Sequence, residues 1–119
     1  MDNKDFAKIL EARTKQFAIE IIKLSSKLPS SPEGLVIRNQ VTKSGTSIGA
    51  NYREANRSRS KADFINRMRI CESEASETAY WLEIIEALKW VDSQIIVAML
   101  KEVNELLAIF TASGKTLKL

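Results

Sequence analysis

The chain has 119 residues, a formal net charge of +3, 45% hydrophobic and 28% charged residues, a balance that supports one folded domain over residues 1–119 and excludes disorder. It holds no histidine and a single cysteine, which excludes an intrachain disulfide and removes the commonest general base and transition-metal ligand. No apolar run approaches the ~20 residues of a membrane span, so the expectation is a cytoplasmic protein with no membrane association, no cofactor and no metal.

Two prolines and four glycines leave few breakers, and four helices are predicted, at about 4–28, 32–54, 60–90 and 93–113. The expected fold class is all-α, an antiparallel up-down-up-down four-helix bundle. In the first helix Phe6, Ile9, Leu10, Phe17, Ile21, Leu24 and Leu28 recur at helical spacing. "LPSSPEG" then breaks the pattern, and Ser31 is placed to cap the second helix with Pro32 at its first position.

The second helix offers Leu35, Val36, Val41, Ile48 and Tyr52 as its apolar face. Its middle, "KSGTSIGAN", holds Gly45 and Gly49, each unfavourable by about 1 kcal/mol relative to Ala inside a helix. Four residues apart on one face, they predict close approach of a neighbouring backbone; a loop here is the alternative.

Ser60 and Asp63 resemble a capping box for the third helix. Phe64, Met68, Cys71, Ala75, Thr78, Leu82 and Ile85 then alternate in steps of four and three, the seam of near-parallel helix packing. Asp92 is expected to cap the fourth helix, with a hydrophobic staple between Val91 and Ile96. Ile95, Met99, Val103, Leu106 and Phe110 follow, and Gly114 is the predicted stop.

Between Ala79 and Val91, "AYWLEIIEALKWV" places Trp81, Ile84 and Leu88 outside that seam. The apolar arc is wider here than the stripe of about 100° that one helix buries in a bundle. Either a long first helix covers the surplus or another copy of the protein does; on the second reading Trp81, Ile84 and Leu88 form an oligomer interface.

Charge is segregated along the chain. Residues 51–70 carry Arg53, Arg57, Arg59, Lys61, Arg67 and Arg69 against Glu54 and Asp63; residues 71–86 carry five glutamates and no basic group.

The stretch "SGTSIGANYREANRSRSKADFINRMRICESEASETAYWLEIIEAL" resembles the bacterial four-helix-bundle family of 23S rRNA intervening-sequence proteins. The resemblance is sharpest from Ser44 to Leu88, in the small-residue helix ending Ser47-Ile48, Asn51, Glu54 and in "RSRSKADF" followed by "CESEASETAYWLEII". Many members have Gly one residue after the Glu, where this chain has Ala55, so the turn is expected to start later, near Asn56. The resemblance implies a helical protomer that assembles into a homopentamer. It also brings a relative, the accessory protein of diversity-generating retroelements, which is pentameric and binds nucleic acid and a reverse transcriptase. It establishes no activity for this chain, because fold likeness does not carry function.

Basic groups near a helix N-terminus oppose the helix dipole, so Arg57, Arg59 and Lys61 hint at another use. With Arg53 and Arg67 they are the candidates for contact with RNA or DNA phosphates. Against this stands plain solvated charge, with the acidic run receiving arginines from a neighbouring copy. Asn51 and Glu54 are expected as buried helix-end groups that fix packing. Cys71 reads as packing, Glu74 and Glu77 as a poor metal site, and Ser44, Ser47 and Lys43 as an unsupported dyad. The expected function is a non-enzymatic, homo-oligomeric nucleic-acid accessory factor. The alternative is a structural or protein-docking oligomer, with a nuclease as a distant third.

Overall fold

Four helices account for almost all of residues 3–117, which the structure, a computed structural model, describes: α1 (Asn3–Ser25), α2 (Pro32–Ala55), α3 (Lys61–Leu88) and α4 (Ser93–Leu117). They form an all-α bundle in which α1 packs on α2, α2 on α3 and α3 on α4, while α1 meets α4 along the thinnest seam. Cross-helix neighbours run in opposite directions. Ile21 meets Gly45 and Thr14 meets Gly49 between α1 and α2; Cys71 meets Ile48 and Thr78 meets Ser44 between α2 and α3; Glu72 meets Thr111 between α3 and α4. This course is consistent with up-down-up-down connectivity.

The helices begin where the sequence places caps. Ser31 accepts from the Gly34 N–H at 3.1 Å with Pro32 at the first position. Ser60 accepts from the Asp63 N–H at 3.1 Å, and the Asp92 carboxylate accepts from the Gln94 N–H at 2.8 Å. These bonds satisfy amides that have no partner inside the helix. Val91 and Ile96 both pack in the core.

The seam of α3 is the spine of that core. Met68, Cys71, Ala75, Thr78, Leu82 and Ile85 are buried, facing Val41, Ile48 and Tyr52 of α2 and Met99, Val103, Leu106 and Phe110 of α4. Gly45 and Gly49 lie inside a continuous helix, not a loop. A Cβ on Gly45 would sit 2.8 Å from Ile21 Cγ1, and one on Gly49 would sit 3.0 Å from Thr14 Oγ1 and 3.3 Å from the Thr14 backbone carbon. Helix propensity is given up here for close contact between α1 and α2.

The structure corrects several expectations. Phe6, Ile9, Leu35 and Val36 share the apolar spacing of their helices but are exposed, because periodicity marks a stripe without marking where the partner helix stops. Gly114 does not end α4, which continues to Leu117; a glycine stop needs a left-handed residue, and no glycine among the described residues has positive φ. α3 ends at Leu88 instead of Trp90, turned by Lys89 in the left-handed region (φ 55°, ψ 38°). α1 ends at Ser25, and Leu28 stays buried beyond it.

Candidate functional site

At the α2–α3 junction, Asn56 ends α2, and the Arg57 and Ser58 amides fold back on the carbonyls of Glu54 (3.0 Å) and Ala55 (3.1 Å). Ala55 itself is buried, so the turn starts after it. Glu11 of α1 ties the junction down: one carboxylate oxygen accepts from the Asn56 amide at 2.8 Å, and the other lies 3.7 Å from Arg53 Nε.

The five basic candidates therefore divide. Arg53 leans toward Glu11, and Arg67 toward Asp63 at 3.9 Å one turn away. Arg57, Arg59 and Lys61 are exposed and form no ion pair among the described residues. Lys61 is the first residue of α3, where the helix dipole makes positive charge unfavourable; Arg59 stands two residues before it, and Arg57 follows the Asn56 cap at the end of α2. Sequence reasoning missed Glu11 as the counter-charge; nothing in the local pattern links residues 11 and 53.

At the other end of α3, Trp81 is half-buried, its indole N–H donating to the Glu77 carboxylate at 3.1 Å and its ring edge-on to Tyr80 at 5.1 Å. Ile84 and Leu88 line an open groove of about 490 Å³ with Val36, Ile37 and Trp90. Leu88 is 49% and Val36 56% exposed. α1 packs on α2 and α4, not on α3, so the long first helix does not cover this face. The structure joins Ile84 and Leu88 in one groove and leaves Trp81 beside it.

The remaining polar candidates lie in packing roles. Cys71 is fully buried, its thiol directed at the Ile48 carbonyl at 3.7 Å, and burial pushes its pKa up to about 12, which removes thiolate reactivity near neutrality. Burial, with Glu77 nearby, raises the Glu74 carboxyl above its ordinary range. Ser44 is buried against Thr78, their hydroxyls 2.9 Å apart, and Ser47 donates to the Lys43 carbonyl at 2.6 Å, so no dyad forms. Asn51 is half-buried and donates to the Ser47 carbonyl at 2.9 Å, whereas Glu54 is exposed; Glu54 is not the buried packing group expected, because it lies on the solvent side of the last turn. None of the helices is long and apolar enough to cross a membrane among the described residues.

The family model described as 23S rRNA-intervening sequence protein matches residues 9–112. Among curated proteins, none matches. The chain is similar to a crystal structure of a protein of unknown function from the S23 ribosomal protein family of Bacteroides thetaiotaomicron. The two share 33% identity and superpose with a TM-score of 0.81 over 88% of this chain and 97% of the other.

Proposed function

This chain belongs to the 23S rRNA-intervening sequence protein family, and we propose that it works as a non-enzymatic, homo-oligomeric accessory protein that binds nucleic acid. One observation carries the reading: Arg57, Arg59 and Lys61 stand exposed from the end of α2 to the first residue of α3, with no ion pair among the described residues. Lys61, at the first position of α3, opposes the helix dipole, a penalty of about 0.3–1 kcal/mol for a charge so placed. An RNA or DNA phosphate removes that penalty while releasing condensed counterions, the main sequence-independent source of affinity. Arg53 and Arg67 flank the patch, each shared with a carboxylate.

Self-assembly through Trp81, Ile84 and Leu88 would cover the α2–α3 groove, and a ring of five copies would present the basic corner repeatedly. A strand that reaches two corners then binds with raised effective concentration. A second reading, an oligomer that docks protein and has no nucleic-acid role, is favoured by the same groove.

The test is a titration of labelled RNA and DNA at two salt concentrations. Binding should weaken with salt, and Arg57→Glu combined with Arg59→Glu should reduce the slope of log affinity on log salt by about 2. No binding at low salt sinks the nucleic-acid reading. Light scattering fixes the subunit number, and a monomer sinks the interface.

A further inference from the structure

A second surface feature adjoins the basic corner. The N-terminal turns of α1 and the C-terminal end of α4 close with the α2–α3 junction around an open cleft of about 560 Å³, lined among others by Phe6, Tyr52, Asn56, Phe64, Met68 and Ser113. Tyr52 forms its floor, buried and tilted against Phe110 at a ring separation of 5.9 Å. Phe64 is half-buried, and Phe6 is 44% exposed. The mouth is thus aromatic and partly wet.

The cations are next to it in the chain. Arg57 follows the lining residue Asn56, one Cα step of about 3.8 Å away. Lys61 stands three residues before Phe64, one helical turn, and Arg67 stands beside Met68. Phosphate binding alone needs no exposed phenyl ring. A strand whose bases are unpaired offers both groups at nucleotide spacing, an anion and a flat aromatic face; a duplex offers only the anions outward. Basic residues next in the chain to the lining favour an occupant that carries negative charge beside its apolar part.

Resting on the nucleic-acid reading above, we infer that the corner is selective for single strands: an unpaired base enters the Phe6–Phe64 cleft and stacks on an aromatic face while the adjoining phosphates lie on Arg57, Arg59 and Lys61. Stacking tolerates any base, so the site prefers single strands without preferring a sequence.

The full chain is titrated with three labelled ligands of equal length: a single-stranded oligonucleotide, its duplex and an abasic single strand. The base-bearing single strand should bind about tenfold more tightly than either of the others, the factor that one stacked base supplies. Phe6→Ala should abolish that preference and leave abasic-strand affinity unchanged, with an unchanged melting temperature confirming the fold. Phe6→Trp should keep the preference and show indole quenching by the base-bearing strand but not by the abasic one. Equal binding of all three ligands, tighter duplex binding, or indifference to Phe6→Ala overturns the base cleft and leaves the phosphate reading standing. Failure of every ligand to bind at low salt overturns both.

Discussion

The middle of the bundle and the ends of α3 follow opposite rules. In the middle, small residues and buried hydroxyls fit their neighbours. Gly45 rests on Ile21 and Gly49 on Thr14, the hydroxyls of Ser44 and Thr78 meet, and among the described residues no buried side-chain nitrogen or oxygen lacks a partner. At the ends the fit is poor. Lys61 opens α3 with the wrong charge, Lys89 closes it in a backbone region that suits glycine, and Leu88 is left half in water. The difference teaches where stability is built and where it has been given up. Substitutions in the middle should cost stability; conservative corrections at the ends should add it.

The largest effect expected is Ile21→Ala, which removes a fully buried side chain and should destabilise by about 2–5 kcal/mol. Gly45→Ala forces a methyl against the stiff branched carbons of Ile21, 2.8–2.9 Å away, and should lose about 1–3 kcal/mol to overpacking despite its better helix propensity. The double variant decides the point. Without Ile21 the new methyl has room, so the combined loss should fall short of the sum by roughly 0.5 kcal/mol or more. Additive losses in urea denaturation would mean that the α1–α2 contact is not what holds Gly45 small.

The middle also has a pH signature. A free thiol titrates near 9, and Cys71 is pushed up to about 12. Between these values the unfolded chain has lost a proton that the folded chain keeps. Stability should therefore fall as pH rises above about 9, by up to ~1.4 kcal/mol per unit, and level off near 12. Its full contribution is present below pH 9. Tyr52, whose phenol burial also raises, adds to the alkaline loss, so the measurement is the difference between the native chain and Cys71→Ala. Equal slopes in both would show the thiol to be open to solvent.

The same contrast governs what the sequence reveals. The seam from Met68 to Ile85 and the caps at Ser31, Ser60 and Asp92 are legible because each rests on neighbours within one or two turns. The close approach at Gly45 and Gly49 is legible too, since two glycines inside a helix give up propensity for a close neighbour; the expected backbone is met at Gly49, by Thr14, whereas Gly45 meets the Ile21 side chain. The identity of these partners is not legible, and neither is the place where cover runs out, which is why Phe6 and Val36 read as core. At the basic corner the cluster is visible in the chain, but the link from Arg53 to Glu11 and the cleft that Phe6 and Phe64 both line depend on how α1 lies near the junction. Those are tertiary facts, and local spacing carries no trace of them.

At the far end of α3, Lys89→Gly should raise stability by about 1 kcal/mol. An L-residue in the left-handed region is unfavourable by about 1–2 kcal/mol, and glycine enters it freely at the expense of more unfolded-state entropy. The Lys89 amide bonds to the Glu86 and Ile85 carbonyls survive the change. A loss on thermal unfolding would place the Lys89 side chain in a contact worth more than the strain.

The smallest change is the one that tests why the near end is poorly built. Lys61 is the first residue of α3, exposed and without an ion pair among the described residues. Lys61→Glu puts a carboxylate where the dipole favours it and should stabilise the chain by about 0.3–1 kcal/mol in low salt. The gain should shrink as salt is added, because exposed charges are screened. Lys61→Gln should lie between. The same two variants should weaken nucleic-acid binding in the same order, so that stability and affinity move in opposite directions at one residue. If Lys61→Glu improves both, the corner's charge is only solvated surface and its clustering has no ligand behind it. If the substitution stabilises the chain while binding falls, the helix has kept an unfavourable cation for the sake of what that cation holds.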